Sequence, residues 1–192
     1  MGIWTWPRVL AVGFLVGVII SYGVLQNDSV QKKYFYPFNY QDAVYRYSER
    51  NHLDPYLVAS VIYSESKFIN IARSSKGAMG LMQMMPNTAE WVANQIDYPN
   101  FAVSKLDDPE ISIRFGTWYL ASVKKEFGGN EILMLAAYNA GRGNVKSWMQ
   151  QYNWTVDFHD IEQIPFKETR EYIKQVLHNR QKYQVLYQKD IK

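Results

Sequence analysis

Residues 54–68 read DPYLVASVIYSESKF. Asp54 followed by Pro55 is a helix start, because the aspartate side chain accepts from the orphan N–H groups of the first turn and proline has its φ preset for the next position. Leu57, Val58, Val61 and Ile62 then recur at the 3.6-residue period and define one apolar stripe. The next position on that stripe, three and four residues on from the last two, is Glu65. A carboxyl group is thus expected on a core-facing surface. Desolvation there penalises the charged form and raises the pKa, which is what a general acid needs to hold a proton near neutral pH. A plain structural role stays open beside that one: Glu65 falls at the C-terminal edge of its helix, where it can bond a neighbouring backbone group or Arg73.

The same helix-start device recurs at Asp108-Pro109, before EISIRFGTWYLASVKKEF, and Pro86-Asn87 opens another helix. Asn39 is expected to open YQDAVYRYSER. Gly128-Gly129 stops the helix after Asp108, Asn130 caps EILMLAAYNA, and Gly141 ends it. A long amphipathic segment from about Lys167 to Gln188 carries Tyr172, Val176, Tyr183 and Leu186 on its apolar side. Strand signals do not recur, so the fold class is all-α. With 47% hydrophobic and 20% charged residues, the 192-residue chain has the composition of an ordinary folded domain.

Absent residue types exclude whole chemistries. There is no cysteine, hence no disulfide framework, thiol nucleophile or thiolate zinc site. The three histidines, His52, His159 and His178, form no i, i+4 pair, and neither a metal site nor a cofactor is expected. The net charge is only +3, with no basic cluster in the sequence of the kind that advertises a nucleic-acid partner. Aromatic content is 16%, including fifteen Tyr and six Trp, which suits contact with sugar faces and equally suits a core with polar tips.

Ahead of the helical region, Val9–Leu25 carries no charge, follows Arg8, and is preceded by Trp4 and Trp6, which resemble interfacial anchors. At 17 residues it lies at the short end of a membrane span. A cleaved signal peptide and a buried core helix are the other readings; Ser21-Tyr22-Gly23 is a poor cleavage site, which favours an uncut anchor. The expected organisation is an N-terminal anchor over 1–25, a linker over 26–37 ending at Pro37, and one folded domain over 38–192.

Two further segments carry polar groups suited to a ligand. In RSSKGAMGLMQMMPNT, residues 73–88, Gly77 and Gly80 permit tight turns where a ligand approaches the backbone. Gln83 is the amide suited to an N-acetyl or hydroxyl group. Met82 and Met84 read as core, whereas Met85 stays open. In AAYNAGRGNV, residues 136–145, Tyr138 and Asn139 fall on the last turn of a helix that Gly141 ends, a rigid support for sugar-binding groups. Glu168, in PFKETREYI, sits in a first turn, where the helix dipole favours it whatever its function.

Glu65-Ser66, Ser74, Gly77-Ala78, Gly80-Leu81-Met82-Gln83, Pro86, Ala137-Tyr138-Asn139-Ala140-Gly141 and Glu168-Thr169-Arg170, in that order, resemble the catalytic domain of Slt-type lytic transglycosylases, which have a goose-lysozyme-like fold. The resemblance covers residues 40–188. It implies that Glu65 is the sole catalytic residue, acting as acid and then base. It further implies that Ser74, Gln83, Met85, Tyr138, Asn139, Glu168 and Tyr172 shape the glycan cleft or orient the acid. The implied substrate is the peptidoglycan strand, cut between N-acetylmuramic acid and N-acetylglucosamine to leave a 1,6-anhydromuramyl end. The implied location is the cell envelope, with the domain outside the cytoplasm. The large helical superhelix of some relatives is expected to have no counterpart here. Two other functions stay open: a muramidase in which Asp107, Asp108, Glu162 or Glu168 activates water, and an inactive anchored glycan-binding module.

Overall fold

The computed structural model describes residues 5–188, and its contacts divide the chain into the units Met1–Pro37 and Phe38–Lys192. In the first unit, α1 spans Thr5–Leu25. Its Leu10, Phe14, Leu15, Ile19 and Tyr22 side chains are exposed, as is Trp6. Trp4 lies outside the described residues. The expected linker holds a short α2, Asp28–Val30, capped by the Asn27 side chain, and a π-helical turn over Gln31–Phe35. Among the described residues no single helix is long and apolar enough to cross a membrane. One pair, Leu10–Leu25 with Asp28–Phe35, passes together across a 63° bend.

The second unit is helical throughout: α3 Gln41–Arg50, α4 Pro55–Ser66, α5 Pro86–Gln95, α6 Pro109–Glu126, α7 Glu131–Ala140, α8 Arg142–Tyr152 and α9 Lys167–Tyr187. Extended pairing among the described residues is limited to isolated bridges from Met79 to Arg73 and Met84. Asp54, Asp108 and Asn130 each accept from first-turn backbone N–H groups, as their positions before a proline or an apolar run foretold. Asn39 does not act as a cap. The residue ahead of α3 is Tyr40 in the left-handed conformation, φ 56°, with no side-chain cap bond, so the chain reverses before Asn39 reaches the first turn. Helix α8 was not foreseen. Gly141, with φ 91° and ψ 143°, ends α7 and immediately begins α8, which buries Val145 and Trp148.

Helix α4 is the centre of the domain. Every residue from Tyr56 to Ile62 is buried, so the stripe predicted on one side is part of a helix enclosed all round. Its largest interface is with α9, which contributes Tyr172, Ile173, Val176 and Tyr183 to the core. Two devices set their register. At one end Arg180 Nε donates to Asp54 Oδ2 at 2.5 Å while its Nη1 donates to Glu131 Oε1 at 2.8 Å, tying α9 to the starts of α4 and α7. One and two turns further along α9, Tyr183 and Tyr187 pack ring against ring with Phe38 and Phe68, at centroid separations of 5.2–6.4 Å within the cluster.

The loop between α4 and α5 is held down by hydrogen bonds. Ser66 Oγ donates to Leu81 O at 2.8 Å, and Met82 N donates to Ser112 Oγ at 3.3 Å. Gly80 is where the loop passes closest to its neighbours: with φ +79°, a Cβ placed there would lie 2.2 Å from Leu106 O and 2.8 Å from Ser112 Oγ. Neither contact is tolerable and the backbone of Leu106 cannot step aside, so only glycine fits. Gly80→Ala is expected to lower unfolding stability by about 2–4 kcal/mol, measured by chemical denaturation, whereas Gly77→Ala, which meets no atom within 4 Å, is expected to lose less than half as much.

Candidate active site

Glu65 is the penultimate residue of α4, and the helix ends one residue later because Lys67 adopts the left-handed conformation and donates its N–H to Tyr63 O. The carboxyl is therefore delivered at the end of a buried helix, half-buried itself. Burial pushes its pKa from the usual carboxylate range up to about 7, and the Tyr172 hydroxyl pulls in the opposite direction. Among the described residues no other carboxylate acts on it. Arg73, the partner considered for a purely structural Glu65, is engaged elsewhere, in a 2.6 Å ion pair with Asp107.

Two tyrosines flank the acid. Tyr172, on α9, is buried, and its hydroxyl closes no well-formed hydrogen bond to a protein atom while lying close enough to Glu65 to ease its ionisation. Burial first, and then the nearby Glu65 carboxyl, raise the pKa of Tyr172 well above the ordinary phenol value. Tyr138, on the last turn of α7, behaves alike: burial and Glu65 raise its pKa. Its hydroxyl donates to Met82 O at 2.7 Å, which pins the loop to α7. Both phenols stay protonated beside the acid.

The other expected ligand groups divide between this neighbourhood and its frame. Asn139 Oδ1 accepts from Thr169 Oγ1 at 2.8 Å, joining the end of α7 to the start of α9 and leaving the amide NH2 to donate elsewhere. Gln83, with φ +44°, spends its amide NH2 on Ala72 O at 3.1 Å and Gly80 O at 2.9 Å. What it retains for a ligand is the carbonyl oxygen, an acceptor, and not the donor pair. Ser74 Oγ accepts from Ala78 N at 2.9 Å, closing the exposed turn around Gly77. Met82 and Met84 are core, while Met85 caps α5 with its side chain 43% exposed. Glu168 is exposed in the first turn of α9, one turn ahead of Tyr172 on the same face.

Sequence reasoning missed Ser66 and Thr169 as the residues that lock loop and helices around Glu65. Ser66 sat in the motif but carries no periodic signal, and Thr169 is recognised only through its partner 30 residues away. The four carboxylates considered as water-activating partners are also placed. Asp107 is paired with Arg73, Asp108 caps α6, Glu162 pairs with Lys174 at 2.7 Å, and Glu168 is exposed. Among the described residues no group of three or more His, Asp or Glu is arranged to hold a metal ion.

The all-α fold that carries this acid is lysozyme-like, matching that of solved lytic transglycosylases. The chain belongs to the transglycosylase SLT-domain family, whose model matches residues 42–161. A second model, the soluble lytic transglycosylase helical domain, matches residues 163–191. The expectation that the superhelix has no counterpart here is therefore corrected for the segment that includes α9. The soluble lytic murein transglycosylase of Escherichia coli K12 is 38% identical over 144 residues, 74% of this chain and 22% of that protein. The membrane-bound lytic murein transglycosylase C of Edwardsiella ictaluri is 35% identical over 115 residues, 55% of this chain and 32% of that one. This chain thus spans about a fifth to a third of the length of these relatives. Among solved structures, the 70 kDa soluble lytic transglycosylase of E. coli superposes with a TM-score of 0.71 at 35% identity, over 78% of this chain and 25% of that one. The lytic transglycosylase Slt of Pseudomonas aeruginosa, solved as an inactive glutamate-to-glutamine mutant, gives 0.70 at 33% identity, over 83% and 26%.

The raised pKa carries a stability consequence. The unfolded chain releases the Glu65 proton near 4.5 and the folded one near 7, so folding is progressively disfavoured as pH rises between those values. Allowing for partial exposure, ionising the buried carboxyl costs the fold about 1–3 kcal/mol above pH 7. Glu65→Gln, neutral at every pH, is expected to melt several degrees above the parent chain at pH 8 and within a degree of it at pH 4, read by thermal denaturation at the two pH values.

Proposed function

We propose that this chain is a lytic transglycosylase that cleaves the peptidoglycan glycan strand without consuming water, with Glu65 as acid and then base. The observation that carries the reading is a half-buried carboxyl with a pKa of about 7 and, among the described residues, no second carboxylate acting on it. Such a group is partly protonated at neutral pH and serves in both directions. Retaining and inverting glycosidases both employ a carboxyl pair. A site with one carboxyl is better suited to chemistry in which the substrate supplies its own nucleophiles. The relatives named as lytic murein transglycosylases, and the P. aeruginosa protein inactivated by loss of one glutamate charge, support the same reading.

Protonated Glu65 gives its proton to the oxygen bridging N-acetylmuramic acid to N-acetylglucosamine, and the leaving sugar departs as a neutral alcohol. The N-acetyl oxygen of the muramyl residue bonds to the anomeric carbon as that bond breaks. Ionised Glu65 then takes the proton of the C6 hydroxyl, whose oxygen displaces the N-acetyl oxygen. A 1,6-anhydro ring closes, the N-acetyl group is regenerated, and Glu65 ends protonated. Because the attacking hydroxyl belongs to the substrate, no bulk nucleophile has to be captured. Tyr172 tunes the acid, Asn139 donates its free amide NH2 to the glycan, and Gln83 offers its carbonyl oxygen. Met85 and Glu168 line the cleft, and Ser74 holds the loop beside it.

The exposed, uncharged face of α1 supports a membrane anchor over residues 1–25, with the domain on the outer side of the membrane; the names of several relatives as membrane-bound agree with that. Replacing Leu15 and Ile19 by Lys is expected to shift the chain from the membrane pellet to the soluble fraction, and an unchanged distribution overturns the anchor.

Cleavage is tested by incubating the full chain with purified sacculi and weighing the products. Anhydromuramyl ends are expected; reducing ends identify a muramidase instead. Glu65→Gln is expected to lose at least about a thousandfold in turnover, since removing a general acid–base group typically forfeits two to four orders of magnitude. In the parent chain kcat/KM should fall on the alkaline side of about pH 7, where the starting acid is ionised. A rate that is flat from pH 6 to 9 removes Glu65 from the acid role.

A further inference from the structure

Away from Glu65, the end of α3, α5 and the C-terminal half of α6 enclose an open cavity of about 680 Å3. Its lining includes none of the residues assigned to the cleft. Two tryptophans form one wall: Trp91 and Trp118 pack at 5.4 Å between ring centroids, tilted by 60°. Trp91 is braced from behind by Arg142, whose guanidinium lies 5.3 Å from the ring centroid and is itself held by Glu126. Arg50, Lys124 and Lys125 stand round the rim, with His52 beside them. These three cations have no carboxylate partner among the described residues, and no acidic residue lines the cavity.

Elsewhere on this domain Arg46, Arg73, Arg142, Lys146, Arg170, Lys174 and Arg180 are paired with carboxylates, and Lys67, Lys105 and Arg114 lie over tyrosine rings. Here three cations without an ion pair gather round a pair of indoles. Flat indole faces complement the C–H faces of sugars, and free cations complement carboxylates. A neutral glycan uses only the first, whereas a peptidoglycan strand uses both, because its stem peptides carry carboxylates along a chain of pyranose rings. Ring contacts link the wall through the interior to the tyrosines beside Glu65: Trp91 packs on Tyr119 at 6.3 Å, and Tyr119 on Tyr138 at 5.7 Å.

We propose that this cavity is a second hold on peptidoglycan, in which Trp91 and Trp118 receive sugar rings while Arg50, Lys124 and Lys125 receive the carboxylates of stem peptides. The proposal rests on the cleavage reading for the identity of the polymer, and its test reads binding without turnover. The full chain carrying Glu65→Gln is sedimented with intact sacculi, and with insoluble chitin, a β-1,4-linked N-acetylglucosamine polymer that carries no carboxylate. Adding Arg50→Gln, Lys124→Gln and Lys125→Gln together is expected to weaken binding to intact sacculi about tenfold at low salt, with the difference shrinking as salt screens the charges. Binding to chitin should change less than twofold. Trp118→Leu, which keeps apolar bulk, should weaken binding to both. Equal sedimentation of the parent and the neutralised variant with intact sacculi overturns the site, as does an equal loss on sacculi and chitin. If instead the chain carrying native Glu65 releases no anhydro products while the binding difference persists, the cleavage reading fails and the second hold stands.

Discussion

Everything in this domain turns on a carboxylic acid at the end of a helix that the fold encloses on all sides. Helix α4 keeps no polar face to solvent between Tyr56 and Ile62, so the environment of Glu65 is decided by what packs around its last turn. That packing comes from elements far apart in the chain. Helix α9 brings Tyr172, α7 brings Tyr138, and the loop brings Leu81 through the bond from Ser66. Each contact excludes water from the carboxyl, and exclusion of water is the principal cause of its raised proton affinity.

The arrangement places stability and chemistry in opposition at one side chain. A fully enclosed acid stays neutral and cannot later accept a proton as a base; an exposed one is ionised and cannot donate. Half-burial with a phenol alongside puts the balance near neutrality, at the expense of a fold that would tolerate an amide better. The surrounding frame offsets that strain. Arg180 fastens α9 to the starts of α4 and α7, and one and two turns further along α9 Tyr183 and Tyr187 pack with Phe38 and Phe68.

Much of the helical frame was legible because its signals are local. Aspartate or asparagine before a proline or an apolar run places α4, α6 and α7 to within a residue, and the 3.6-residue stripe points directly at Glu65. Helix α8 had its signal as well, with Val145, Trp148 and Tyr152 at helical spacing, but it begins on the glycine that ends α7, with no linker to mark its start. The direction of the polar groups was not legible. Gln83 turns its NH2 inward to two carbonyls and Asn139 turns its oxygen to Thr169, and a composition of polar residues does not say which end of an amide is already engaged. The cationic rim was hidden for a similar reason: Arg50 and the Lys124-Lys125 pair lie more than 70 positions apart, and a net charge near neutral is a sum, not a map.

The amino-acid order alone therefore determined most of the helical segments, where several of them start, and which carboxyl stands on a greasy stripe, since each of these depends on neighbours within a turn or two. Only the folded arrangement decided how strongly that carboxyl holds its proton, which amide atoms remain for a ligand, and which cations gather over the tryptophans. Those properties come from desolvation and from contacts between residues 15 to more than 100 positions apart, and such distances are set when helices pack, not when they form.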